Sequence, residues 1–312
     1  MTASLSNATL IGIDWGTTSC RAFLIDANGM VLARQSSAEG IMQIPDRTFQ
    51  QVLLRLLEPW LQQVRVPIIA SGMITSRNGW QETAYLNAPA STEDLAQAII
   101  QVEGMTEPLL YFVTGVTVNN DGQIDVMRGE ETQIAGALQH TGTDGHYVMP
   151  GTHSKWVVTR GNNIDNFRTF MTGEVFAALR RHTILGSLMT TGPFQKDSFS
   201  QGVQVGRRAG ATLLNVLFSA RTKPLFDQLA KEKVADYLSG MLIGAEIQGA
   251  LSLYDAPATV TIVGRDDLAD RYEIALTICG VSCTRAPEDL VAHGHFAIAT
   301  SAGLLKKPAD QT

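Results

Sequence analysis

Basic residues are in short supply. The chain carries 24 Lys and Arg against 30 Asp and Glu, a formal net charge of −6 over 312 residues. That balance argues against a nucleic-acid partner, because a phosphate backbone needs a basic face. It leaves anionic small molecules open, since these need only a local cluster of donors. Cysteine is scarce too. Cys20, Cys279 and Cys283 are an odd set, and the last two have neither redox C-x-x-C nor zinc half-site spacing. Reduced, buried thiols in a cytoplasmic protein are the expectation. No apolar run approaches the ~18 residues of a membrane span. The polar N-terminal residues lack the basic region and apolar core of a signal peptide. No G-x-x-x-x-G-K-[ST] occurs, so a Walker-type P-loop is excluded. What remains is ordinary globular composition, 45% hydrophobic and 17% charged. The length is generous for one core, and two lobes are expected.

The opening stretch carries the first chemical signal. Residues 10–13 form a short apolar strand, and Asp14 sits where it runs out. Gly16-Thr17-Thr18-Ser19 makes a turn, and residues 20–25 form a second strand. Such a bend gathers backbone N–H groups, hydroxyls and one acid, which suits phosphate oxygens and a magnesium ion. From these residues alone, an ordinary hairpin with a solvated acid is the favoured reading. Asn28-Gly29 then signals a type I′ turn, and residues 31–35 a third strand. A dinucleotide fold would send the glycine turn straight into a helix.

Further along, residues 48–64 keep helical spacing, with Pro59 expected to kink or split the helix. A strand over 66–70 leads into a long loop, 71–80, bearing Ser76, Arg77, Asn78, Gly79 and Trp80. Loops at strand ends of α/β sheets often bind ligands, and this one suits a sugar face. Ser91 and Asp94 start a helix expected to run through Val102. Residues 109–113 read as a strand. Gly129, Glu130 and Glu131 stand at the entrance of the next helix. Acids there complement the helix dipole, or one takes a proton from a hydroxyl.

The opening design then recurs. An apolar strand from Tyr147 leads to Gly151-Thr152-His153-Ser154, a second strand at 155–159, a Gly161-Asn162-Asn163 turn and a third strand at 164–171. Each copy is followed by helical sequence. A duplicated meander facing its twin would grip a polyphosphate from both sides. Residues 173–180 are expected to be helical, 190–206 a long loop, and 210–253 mostly helical. Strands are expected at 259–263 and 281–285, helices at 268–278 and 292–305, and a frayed tail at 306–312.

With these residues in place, the chain resembles ATP-dependent sugar kinases of the actin/hexokinase/Hsp70 fold. Its two turns match that fold's two phosphate motifs. Met127-Arg-Gly-Glu-Glu-Thr-Gln133, Tyr147-Val-Met-Pro-Gly-Thr-His153 with Lys155-Trp156, Phe167-Arg-Thr169 with Met171-Thr-Gly-Glu174, and Leu238-Ser-Gly240 with Leu242-Ile-Gly-Ala-Glu246 together resemble the 2-dehydro-3-deoxygalactonokinase family. Gly72-Met73 with Ser76, Gly79 and Trp80 fits as well. The resemblance spans nearly the whole chain.

It implies an α/β fold of two duplicated actin-like ATPase (ribonuclease H-like) domains around a nucleotide cleft. Residues 1–140 would form the lobe with the first phosphate motif and the sugar-acid loop, and 141–312 the lobe with the second motif and the adenosine site. It implies ATP and Mg2+. The substrate would be 2-dehydro-3-deoxy-D-galactonate, phosphorylated at its 6-hydroxyl. Asp14 would hold magnesium. Gly16, Thr17 and Thr18 would hold phosphates on one side, and Gly151, Thr152 and His153 on the other, unless His153 only hydrogen-bonds within its turn. Lys155 or Arg21 would offset charge. Glu130 would be the base, with Glu131 as fallback. Arg168, Arg128 or Arg77 would meet the sugar-acid carboxylate, with Ser76, Asn78, Gly79 and Trp80 around the sugar. The fold's usual glycine pair after the strand toward adenosine is a single Gly264 here. Alternatives are a same-fold kinase for another sugar acid, such as 2-keto-3-deoxygluconate, and an actin- or chaperone-like nucleotide switch. A homodimer is compatible with all of these.

Overall fold

The computed structural model describes residues 5–305 apart from 143, 255, 256 and 288. The tail expected at 306–312 lies outside the described residues. In order, the chain forms β1 (Ala8–Trp15), β2 (Cys20–Asp26), β3 (Val31–Ser37), α1 (Phe49–Leu61), β4 (Ile68–Ser71), β5 (Leu86–Asn87), β6 (Ala90–Ser91), α2 (Thr92–Gln97), β7 (Ile100–Thr106), β8 (Leu109–Phe112), β9 (Val116–Asn120), β10 (Gln123–Met127) and α3 (Glu130–Thr141). Then follow β11 (Gly145–Met149), β12 (Ser154–Arg160), β13 (Asn163–Phe170), α4 (Thr172–His182), α5 (Lys196–Ala209), α6 (Leu213–Leu217), α7 (Ser219–Leu225), α8 (Val234–Leu253), β14 (Thr259–Ile262), α9 (Asp266–Ile278), β15 (Ser282–Arg285) and α10 (Leu290–Ser301). Two compact units result. One comprises Met1–Asp144, Thr159–Asn166 and Pro287–Thr312; the other comprises Gly145–Val158 and Phe167–Ala286.

The first unit is built on a sheet of order β3–β2–β1–β4–β8–β7. β1 pairs antiparallel with β2 and parallel with β4. Its side chains alternate between faces, as a strand requires. Ile11, Ile13 and Trp15 join Phe49, Leu53 and Leu57 of α1 in one buried cluster. Gly12, on the other face, lies against His295 of α10. Pro59 falls in the last turn of α1, which ends two residues later. The capping box at Ser91 and Asp94 is present. The helix it starts stops at Gln97, short of the expected Val102. Residues 100–106 pair antiparallel with β8 instead, because β-branched Ile100 and Val102 suit a sheet edge better than a helix. β5, β9 and β10 form a small separate sheet.

The C-terminal helix groups with this unit, unlike a single cut after residue 140. α10 packs against α3 at two glycines. A Cβ on Gly294 would collide with the Thr132 carbonyl oxygen, and one on Gly136 with that of Leu290. Gly294→Ala is therefore expected to cost about 1–3 kcal/mol by overpacking. Urea denaturation checks this; a variant as stable as the parent would show that the helices can separate freely.

The second unit repeats the design. Its strands run β13–β12–β11–β14–β15, the same order as β3–β2–β1–β4–β8 with parallel pairs β11/β14 and β14/β15. The region expected as a long loop at 190–206 is mostly α5. Phe199, Gly202, Val203 and Gly206 form one buried helical face, and the absent side chains at Gly202 and Gly206 let α5 lie against the backbone of α8. Glycine reads as loop in sequence but serves here as a close-packing surface.

Candidate active site

In the first unit, parallel pairing sets Asp14 beside Ser71, at the ends of β1 and β4. The Asp14 side chain is 16% exposed, and its Oδ2 accepts from Nε of Arg21 at 3.1 Å and from Nη2 of the same guanidinium. The adjoining turn closes through the Gly16 N–H, which donates to the Ser19 carbonyl at 2.9 Å. Backbone N–H groups of Ile41 and Met42 brace it from behind, donating to the carbonyls of Gly16 at 3.1 Å and Thr17 at 3.2 Å. Thr17 and Thr18 remain exposed.

Two glycines bring a third element to this spot. Gly72 follows β4 at φ 95°, where a Cβ would lie 2.8 Å from the Trp15 carbonyl oxygen and 3.4 Å from Asp14 Oδ1. Gly129, at φ 110°, caps α3, and a Cβ there would lie 3.0 Å from Gly72 Cα. Both positions combine a left-handed φ with no room for a side chain. The start of α3 is thereby held beside the strand end that carries Asp14.

The two acids of that helix start differ sharply. Glu131 is fully buried; it accepts from the Gly129 N–H at 2.7 Å and from Thr132 Oγ1 at 3.2 Å. Burial, reinforced by the negative charge of Glu130, pushes its carboxyl up to about 8. Glu130 is only partly buried, and its Oε2 accepts from the Arg128 N–H at 2.9 Å. Behind the strands, His295 is fully buried with Nε2 2.9 Å from Ser71 Oγ. Burial, then the Arg21 charge, lowers it to about 3, so it stays neutral.

The expected sugar-acid loop divides in two. Arg77 and Asn78 are exposed. Ser76 is nearly buried and donates to the Met73 carbonyl at 2.7 Å. Gly79 gives its carbonyl to Arg47. Trp80, expected to face the sugar, instead stacks on Phe49 at 6.4 Å and meets Phe112 edge-on at 5.9 Å. Its indole joins the apolar cluster under the loop because two aromatic faces are there to bury it. Arg128, expected at the substrate carboxylate, is also buried. Its guanidinium donates to the Thr75 carbonyl at 2.6 Å, Thr75 Oγ1 at 2.7 Å, Thr83 Oγ1 at 2.6 Å and the Thr83 carbonyl at 2.9 Å. With these donors committed, Arg128 shapes the loop. Thr75, Thr83 and Arg47 were invisible in the sequence as its partners, since single polar residues far apart leave no local pattern.

In the second unit, Thr152 and His153 are exposed at the repeated turn. The start of α4 sits against it. Glu174 N–H donates to the Thr152 carbonyl at 2.9 Å, and Glu174 Oε2 lies 2.6 Å from His153 Nε2. Gly173 leaves space for the Gly151 carbonyl, which a Cβ would strike. Gly264, after β14, lies beside Pro150. Lys155 differs from expectation. It is 6% exposed and its Nζ donates to Thr169 Oγ1 at 2.6 Å, so its ammonium lies against β13. Arg168, two residues along the alternation from Phe170, has a buried Nε with no hydrogen-bond partner among the described residues.

A cavity of about 290 Å³ opens from this turn. Gly151, Gly173, Phe176, Phe194, Arg271 and Tyr272 are among its walls. Asp236 holds one side together: Oδ1 accepts from Arg271 Nη1 at 2.8 Å and Oδ2 from the Gln195 N–H at 2.8 Å. The Arg271 guanidinium lies 4.2 Å from the Phe194 ring centroid. Phe194 escaped the sequence analysis because the residues before α5 read as plain loop, and Asp236, Arg271 and Tyr272 because single residues on two separate helices leave no local pattern. Among the described residues no three His, Cys, Asp or Glu side chains gather as a metal cluster, and no helix is long and apolar enough to cross a membrane.

Two sheets of one strand order, each with a Gly-Thr turn after its central strand, define the actin-like ATPase fold of sugar kinases. Solved structures of a xylulose kinase and a gluconate kinase, both from Lactobacillus acidophilus, share the fold at TM-scores of 0.52 and 0.51 with 11% and 12% identity; each comparison covers 96% of this chain and 90% of the other. The 2-keto-3-deoxy-galactonokinase family profile matches residues 14–298. A 2-dehydro-3-deoxygalactonokinase of Escherichia coli strain K12 is 33% identical over 90% of this chain and 94% of its own. A Rhizobium meliloti protein named as a probable enzyme of the same kind is 36% identical over 89% of this chain and 92% of its own. A crystal structure from Sinorhizobium meliloti under the same enzyme name superposes at a TM-score of 0.87, with 34% identity over 94% of this chain and 98% of the other. The chain belongs to the 2-keto-3-deoxy-galactonokinase family and is a carbohydrate kinase.

Proposed function

We propose that the protein transfers the γ-phosphoryl group of ATP to the 6-hydroxyl of 2-dehydro-3-deoxy-D-galactonate in the cytoplasm. The observation that carries this reading is the meeting of Asp14, Gly72 and Gly129, which precedes Glu130, in a family whose relatives are named for that acid. Phosphoryl transfer asks for alignment, neutralised charge and a base, with little covalent work from the protein. Glu130 takes the proton of the attacking hydroxyl. Glu131, buried and pushed up, cannot reach a substrate and anchors the helix start instead. The N–H groups and hydroxyls of Thr17 and Thr18 hold phosphate oxygens, on a turn that Gly16 closes through its own N–H; Gly151 and Thr152 do the same in the second unit. The adenosine occupies the cavity beside Gly151 and Gly173.

Magnesium fits the donors present. It takes one or two carboxylates and completes its shell with phosphate oxygens and water, so the single acid Asp14 suffices. When bound it screens phosphate charge. Arg21, already paired with Asp14, keeps that carboxylate oriented. The sugar-acid carboxylate needs a cationic donor; Arg168 is partly exposed, and its guanidinium, rather than its buried Nε, meets it. Arg77 and Asn78, exposed on the loop, complete the polar lining.

Arg168→Met is expected to raise KM for the sugar acid by about 10–100-fold, the loss of one charge-assisted contact, with KM for ATP unchanged. Coupled assays of ADP release over galactonate- and gluconate-derived 2-keto-3-deoxy acids test both points. A higher kcat/KM for the gluconate-derived acid would overturn the substrate assignment, and an unchanged KM in Arg168→Met would overturn the carboxylate contact.

A further inference from the structure

The second unit holds a buried acid that the phosphoryl-transfer reading leaves unused. Glu246, on α8, is 3% exposed. Its Oε1 accepts from Trp156 Nε1 at 2.9 Å and its Oε2 from Tyr272 Oη at 2.8 Å. Tyr272 Oη is in turn 2.9 Å from Ser154 Oγ. The side chains of Thr172 and Ser154 also hydrogen-bond to this carboxyl. An indole N–H can only donate, so Oε1 acts as an acceptor; Trp156, Tyr272 and Thr172 each supply a donor, and the one hydroxyl hydrogen of Ser154 is shared between the carboxyl and Tyr272 Oη. Burial raises the Glu246 carboxyl above its ordinary value, and these bonds offset that only in part.

The donors come from the parts of the unit that would touch a nucleotide. Ser154 directly follows the Gly151-Thr152-His153 turn. Thr172 opens α4, whose Gly173 packs under that turn. Thr172 and Tyr272 both line the 290 Å³ cavity. Trp156 continues β12 from the turn. A core seeking only stability would do as well with an apolar residue here, because a buried polar network often adds no net stability over well-packed hydrophobes. Fully satisfied, such a network fixes one arrangement of its members.

We infer that Glu246 is a positioning residue for the nucleotide: a buried, hydrogen-bonded carboxyl group that ties the second phosphate turn and the start of α4 to the Tyr272 wall of the cavity. It touches no substrate and acts through Ser154, Thr172 and Tyr272. The inference rests on the proposed placement of ATP in this cavity.

Glu246→Gln, Glu246→Met and Trp156→Phe test it on the full chain. Glu246→Gln turns an NH2 toward one of the donors and breaks that link. Glu246→Met removes them all while keeping volume. Both are expected to stay folded by circular dichroism and thermal melting. Both are expected to weaken binding of a non-hydrolysable ATP analogue, read by calorimetry, and to raise KM for ATP by about tenfold or more, with KM for the sugar acid within about twofold of the parent. Trp156→Phe, which deletes one donor, is expected to give a smaller change in the same direction. Folded variants with unchanged ATP affinity would overturn the role of Glu246, as would equal rises in both KM values. If Glu246 variants do not fold, an unchanged ATP affinity in Trp156→Phe overturns it. Ala235→Trp, which fills the cavity, separates this from failure of the underlying reading: a parent-like ATP affinity in that variant would move ATP elsewhere, whatever the Glu246 variants do.

Discussion

Glu130→Gln lowers kcat by about 10²–10⁴-fold, the usual contribution of a positioned general base, and leaves the affinity for ATP within about twofold. The variant keeps the shape of the side chain, and an amide oxygen can still accept the Arg128 N–H that Glu130 Oε2 accepts at 2.9 Å. The helix start therefore stays in place, and the lost activity is lost basicity. Single-turnover phosphorylation of the sugar acid, with nucleotide binding measured separately, checks the result. Near-parental turnover would remove Glu130 from the mechanism. The neighbouring acid serves as contrast. Glu131 has its carboxyl inside the unit on the Gly129 N–H and is raised to about 8, chiefly by burial. Its loss should be felt in folding before chemistry.

Asp14→Asn is expected to lower kcat/KM for ATP by about 10²–10³-fold, the range of losing one electrostatic contact to a transferring phosphoryl group, and to raise the Mg2+ concentration needed for half-maximal activity. The substitution also leaves the Arg21 guanidinium without its anionic partner. Its placement at the end of β1 is unaltered, since Ile11 and Ile13 hold the strand in the core. Titrating Mg2+ at saturating sugar acid checks it. An unchanged metal requirement would show that Asp14 does not serve the ion.

Much of the fold was legible because it rests on local pattern. The apolar run from Leu10, the Asn28-Gly29 turn and the repeat from Tyr147 are each encoded within a few residues, and the structure places strands and turns there. The capping box at Ser91 was legible for the same reason. Where the outcome depended on partners distant in sequence, pattern gave a different answer. Residues 100–106 became a strand because β8 was available to pair. Residues 196–209 became a helix because their glycines fit the α8 backbone.

The site divides along the same line. Residue chemistry in the sequence was enough for the two Gly-Thr turns, Asp14 at a strand end and two acids at a helix start. It could not separate Glu130 from Glu131, which are adjacent and chemically alike; only packing buried one and left the other partly exposed. Nor could it tell that Arg128, Lys155 and Trp80 are committed to partners within the fold while Arg168 stays partly exposed. The sequence by itself determined a duplicated β-meander with a Gly-Thr turn in each copy, because strand period and turn chemistry are local, and its motifs resembled those of a sugar-kinase family. Tertiary structure alone decided which polar side chains are spent on the scaffold and which stay available, because burial and hydrogen-bond partners are set by contacts between distant parts of the chain.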